Sequence, residues 1–192
     1  MRGKWSLCLV SAAAMLALCL CAPGAFAYNY SKSITIDRSK IPNTCGTTLA
    51  DYPVLFSVTD ANLKVTGSGG HVTDAGGDDI IFRAFDTTTC GGASSCTLDH
   101  QIEKYVNTTG ELVAWVRLPS VNTSAAGSDT VIYVYYGDSS VTSPTENPTG
   151  VWDANFKGVW HLKEDQAGTG TNNLYLDSTS NVNHGDDFVS AT

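Results

Sequence analysis

The sequence predicts an all-β fold, an antiparallel β-sandwich of jelly-roll type, on three observations. After residue 27, apolar residues recur with a period of two rather than 3.6. The alternating runs are rich in Val, Ile, Thr, Tyr and Phe, which pack well on a pleated surface. Turns rich in Gly, Asp, Asn, Ser and Thr separate one run from the next.

The chain opens differently. Arg2 and Lys4 precede an apolar stretch over 7–21, Pro23-Gly24 breaks it, and Ala25-Phe26-Ala27 supplies small residues at the positions a signal peptidase reads. Residues 1–27 therefore read as a secretory signal peptide. The stretch is shorter than the roughly 20 apolar residues a membrane span needs, so no span is expected after cleavage.

Strands follow in order. Ser33-Ile34-Thr35-Ile36-Asp37 alternates polar and apolar residues. The run 52–58 starts with Pro53 at a position where a strand tolerates it. In 79–85, Ile80, Phe82 and Ala84 share one face, while Ile81, Arg83 and Phe85 share the other. Leu112, Ala114, Val116 and Leu118 form an inward stripe in 111–118, a strand expected to end at Pro119. Ile132, Val134 and Tyr136 do the same in 130–136, before the turn at Gly137-Asp138. Pro144 and Pro148, set among Ser, Thr and Asn, mark 141–150 as a linker. The expected organisation is a signal peptide (1–27), a β-sandwich domain (28–140), a linker (141–150) and the start of a second unit (151–192).

Charge and cysteines bound the function. The 192 residues carry a net charge of −8, and losing Arg2 and Lys4 with the leader makes the chain still more acidic. Nucleic acid is thereby excluded as a partner, since binding it needs a basic patch. Cys45, Cys90 and Cys96 remain after the leader. Export permits oxidation. Cys90 with Cys96 is the preferred disulfide, leaving Cys45 free. Closing so short a loop stabilises by roughly 2 kcal/mol, against about 4 kcal/mol for a bridge to Cys45.

No catalytic set is assigned. Asp78 and Asp79 are neighbours on an extended segment and so point to opposite faces. His71, His100, His161 and His184 lack the spacing of a metal site on one element. There is no phosphate-binding loop and no nucleophile elbow. Aromatic residues carry the better signal, because sugars stack their apolar faces on Trp and Tyr while polar groups read the hydroxyls. Trp115, Tyr133 and Tyr135, flanked by Arg117, are the candidate ligand-binding residues. The alternative is that they cover a second face of the core. Packed sheets bury one face each, and which alternating set points outward is open at this stage.

Asp51-Tyr52-Pro53-Val54-Leu55, Gly77-Asp78-Asp79-Ile80-Ile81-Phe82 and Gln101-Ile102-Glu103-Lys104-Tyr105 are followed by two further blocks, Ala114-Trp115-Val116-Arg117-Leu118-Pro119 and Ile132-Tyr133-Val134-Tyr135-Tyr136-Gly137. In this order they resemble an uncharacterised family of secreted and surface proteins that commonly precedes concanavalin A-like domains. Gly158-Val159-Trp160-His161-Leu162, Asp177-Ser178-Thr179-Ser180-Asn181 and Asn183-His184-Gly185 resemble the opening of such a concanavalin A-like (laminin G-type) lectin domain. The resemblance implies a second β-sandwich, begun but truncated at Thr192. It also places Asp177, Asn181 and Asn183 in a turn between strands. Their oxygens suit a hard cation such as calcium, whereas Asx residues in turns ordinarily serve the backbone. No other cofactor is implied.

The function expected from these observations is that of a secreted, periplasmic or cell-surface binding module without catalytic activity, taking a polysaccharide or a surface protein as partner. The alternatives are the front part of an extracellular glycoside hydrolase or lyase, and a structural spacer of a surface protein.

Overall fold

The computed structural model describes residues 27–44, 46–164 and 171–187. Residues 1–26 of the expected signal peptide and Cys45 lie outside them. Seven strands form two antiparallel sheets, with one short helix after them. The strands are β1 (Tyr30–Ile36), β2 (Thr48–Thr59), β3 (Ile81–Ala84), β4 (Cys96–Leu98), β5 (His100–Val106), β6 (Glu111–Asn122) and β7 (Thr130–Tyr136), and α1 spans Pro148–Val151. One sheet has the order β1-β7-β3-β4 and the other β2-β6-β5.

Alternation in sequence becomes burial in space. Along β6 and β7 every second residue is buried and its neighbours are half-buried. Ile132, Val134 and Tyr136 from one sheet meet Leu112, Ala114, Val116 and Leu118 from the other in a single core. Phe82 joins the two, with the Phe56 ring 5.7 Å away across the core. Burying each such side chain contributes roughly 1.5–3 kcal/mol.

The strand expected to stop at Pro119 runs on to Asn122. Ala50 pairs with Ser120 and Tyr52 with Leu118, so only the Asp51–Pro119 pair is missing from this ladder. Proline lacks the N–H that the pair needs, and Asp51 bends away at φ +49°. The ladder with β5 starts only at Val116, so the lost donor costs β6 nothing on its other side.

A buried carboxylate ties the loops at one end. Asp79 is fully buried and accepts hydrogen bonds from Thr73 N (2.9 Å), Thr73 Oγ1 (2.8 Å), Asp74 N (3.1 Å) and Gly137 N (2.9 Å). It thus joins the loop before β3 to the end of β7. Gly137 has φ +87°, and a side chain there would meet the Tyr30 ring.

Residues expected to form a linker are bound to the sheets. Thr145 Oγ1 donates to the Ile80 carbonyl (2.9 Å). The Glu146 carboxylate accepts from Ile102 N (2.6 Å), beside a register shift in β5 between Ile102 and Lys104. A carboxylate on an irregular edge strand satisfies a donor that would otherwise invite another chain. Val151 and Trp152 are buried beyond it.

Candidate functional site

The period-two pattern gives each sheet an outer face, and the two faces differ. On the three-stranded sheet Trp115 points outward from β6, and the C-terminal segment covers it. The Trp152 ring lies 5.2 Å from that of Trp115 and 5.1 Å from Phe156. Polar atoms in this layer are paired. Trp115 Nε1 donates to Glu103 Oε2 (2.7 Å), and Trp152 Nε1 donates to Gln101 Oε1 (2.9 Å). Gln101 Nε2 in turn donates to Ser178 Oγ (2.7 Å). Arg117 is held by two carboxylates, Asp51 at 2.6 Å and Asp99 at 2.7 Å.

The four-stranded sheet presents the other expected aromatics. Tyr133 and Tyr135 project from β7, half-buried. Register sets Arg83 of β3 beside Tyr133 and Ile81 beside Tyr135. Phe85, just past β3, is 45% exposed and meets Tyr133 edge-on at 5.4 Å and Tyr135 at 6.2 Å. The Arg83 guanidinium lies 5.0 Å over the Phe85 ring, a cation–π arrangement. Tyr28 adds a further edge contact to Tyr135, and its phenol pKa is raised by burial, with Asp138 and Asp79 adding to the effect. On the far side, Ser31 pairs with Tyr135 and Ser33 with Tyr133, so hydroxyls border the rings.

The expected ligand set is therefore separated. Tyr133 and Tyr135 stay together on an open face, while Trp115 and Arg117 occupy the opposite side of the molecule in packed and ion-paired positions. Phe85 and Arg83 complete the open face. Their shared side of the strand is legible in the sequence, but the pairing of β3 with β7 is not.

Asp177, Asn181 and Asn183 do lie in one turn. Asp177 Oδ1 accepts from Val159 N and Thr179 N, and Oδ2 from Thr179 Oγ1 and Asn183 N, each at 2.9 Å. Burial alone raises the pKa of this carboxyl, but these hydrogen bonds outweigh it and hold the value at about 2. The amides of Asn181 and Asn183 donate to the carbonyls of Phe156 (3.0 Å) and Lys157 (2.8 Å). All four carboxylate contacts are thus donors of the chain itself. Among the described residues no group of three or more His, Cys, Asp or Glu is placed to hold a metal.

Cys90 and Cys96 form a disulfide, with Cα atoms 5.6 Å apart, closing the loop between them just ahead of β4. A cleft of about 410 Å³ lies between β5 and the C-terminal segment. Three of its polar groups are engaged: Glu146 by Ile102 N, Lys163 Nζ by the Ile102 carbonyl (3.3 Å), and His161 Nε2 by Gln101 Oε1 (3.0 Å). Burial lowers the His161 pKa against the nearby Glu103, and burial raises that of Glu146.

Comparison with known families matches residues 77–173 to DUF2341, a domain of unknown function, half of the chain. The chain belongs to the DUF2341 family. The matched range begins at the loop that Asp79 organises, includes β3 to β7, and continues through α1 and Trp152. It thus takes in part of both outer faces, without β1 and β2, and the start of the segment that covers one of them. No curated protein and no solved structure matches the chain.

Proposed function

We propose that this DUF2341 protein is a recognition module, without catalytic activity, of an exported surface protein, and that it binds polysaccharide on the outer face of the four-stranded sheet. The open cluster of Phe85, Tyr133 and Tyr135, bordered by Arg83, Ser31 and Ser33, carries the proposal. Rings on a rigid sheet offer flat apolar area at little entropic cost, and the surrounding hydroxyls and guanidinium supply polar contacts. The open face contrasts with the opposite one, where Trp115 is covered by Trp152.

The shared core supports taking the two sheets as a jelly-roll-like sandwich. Residues 1–27, with their basic start and small residues before Tyr28, fit an export leader. The antiparallel bridges Trp160–Asp177 and Tyr175–Gly185 fit the opening of a lectin-type unit that docks on the first.

A glycan array probed with the exported chain tests the function. Retention on at least one polysaccharide is expected, with Phe85→Ala and Tyr133→Ala each weakening it tenfold or more at unchanged melting temperature. Signal no higher than background across the array, or variants that bind as well as the parent, refutes it.

A further inference from the structure

We infer that the aromatic strip continues into a polar cleft, and that the two together select an uncharged polysaccharide over a uronate polymer; the inference rests on the polysaccharide reading above. The cleft has a volume of about 310 Å³ and lies where β3 leaves its sheet and the chain crosses from β6 to β7 in the other sheet. Val131 forms part of its wall. This residue shares the outer face of β7 with Tyr133 and lies two positions away, roughly 7 Å along the strand. Asp86 follows Phe85 directly and lines the same cleft. Strip and cleft therefore adjoin along both β3 and β7.

The chemistry of the cleft is that of a hydroxyl reader. Asp86 Oδ1 accepts from Thr89 N (2.8 Å) and Asp129 Oδ1 from Arg38 N (3.1 Å). Each carboxylate is thereby fixed through one oxygen, and its Oδ2 has no hydrogen-bond donor among the described residues. Asn122 is buried and donates Nδ2 to the Ser128 carbonyl (3.0 Å), which fixes its amide and leaves Oδ1 as an acceptor. The Thr88 side chain lines the cleft from an exposed position. Oriented acceptors of this kind suit sugar hydroxyls, and a charged acceptor binds them about twice as strongly as a neutral one.

Charge then sets the class of sugar. The cleft is lined by the carboxylates of Asp86 and Asp129, the second of them 3.8 Å from Arg38 Nε, on a chain of net charge −8. A uronate would bring like charge against Asp86, which has no ion pair among the described residues, as it followed the strip, and such juxtaposition discriminates strongly. Arg83, the cation of the strip, has its charge over the Phe85 ring.

Calorimetric titration of the exported chain distinguishes the outcomes, with β-glucan, xylan and mannan as neutral polymers and alginate and polygalacturonate as uronates. Binding is expected to at least one neutral polymer and to neither uronate. The double variant D86N/D129N should lose tenfold or more in affinity for the neutral polymer, and Thr88→Val, at an exposed position, should lose severalfold without loss of fold. Preference for a uronate, or equal binding of both classes, overturns the inference. It also falls if the double variant and Thr88→Val both bind as tightly as the parent while Tyr133→Ala does not, an outcome that leaves the polysaccharide function standing. Failure of every polymer to bind removes both.

Discussion

Replacing Trp152 by alanine tests whether the C-terminal segment is part of the folded body. The side chain is 6% exposed and packs against Trp115, Phe156 and His161. Truncating a buried Trp to Ala costs about 3–5 kcal/mol. One detail places this site toward the lower end. The Gln101 Oε1 that loses the Trp152 N–H still accepts from His161 Nε2 at 3.0 Å, so no buried acceptor is orphaned. About 3 kcal/mol, at roughly 2–4 °C per kcal/mol for a chain of this size, lowers the melting temperature by about 6–12 °C. Trp152→Phe keeps most of the ring contact and loses one hydrogen bond, about 1 kcal/mol. Thermal unfolding followed by circular dichroism gives both shifts, and limited proteolysis reports whether residues 152–164 become accessible in W152A. A melting temperature within about 2 °C of the parent, with an unchanged digestion pattern, would refute the packing argument.

Two further outcomes follow from groups away from the aromatic face. Asp79→Asn puts an amide N–H₂ among donors that now share two carboxylate oxygens, and should destabilise by about 3 kcal/mol; a urea midpoint unchanged from the parent counts against the role given to Asp79. Stability should also fall in two acid stages. Burial keeps the pKa of His100 below 6.5, and that of His161 is lowered as well. The unfolded chain therefore takes up protons near pH 6.5 that the folded chain resists, and stability declines as the pH drops below that value. Asp177, held at about 2 against an ordinary 3.8, contributes stability above about pH 4 that is lost as the pH falls toward 2. His100→Gln should flatten the first stage and Asp177→Asn the second. A pH–stability curve that keeps both stages in these variants assigns them to other groups.

What the sequence made legible was local. The inward stripes of β6 and β7 and the turn at Gly137-Asp138 follow from alternation and turn chemistry, which depend on residues a few positions apart. Less visible were β4, three residues long, and β5, whose pattern is interrupted by its register shift. Strand order lies beyond such patterns. Nothing in a period of two says that β7 sits between β1 and β3, or that β6 lies in the other sheet. For that reason Trp115, Tyr133 and Tyr135 read as one platform, although register divides them between opposite faces. The segment around Pro148 was less legible for a related cause. Pro, Gly and Asn there signal a break in periodicity, and they do not show that Glu146 and Trp152 find partners on β5.

The two outer faces together explain why the aromatic content of this chain is divided as it is. Trp115 and Trp152 each carry an N–H that must be paired once buried, and Glu103 and Gln101 sit on β5 to accept them. That layer is complete without a ligand. Phe85 has no polar atom to satisfy and is 45% exposed. Opposite faces of one core thus differ, one binding the chain's own C-terminal segment and the other carrying the exposed ring of Phe85.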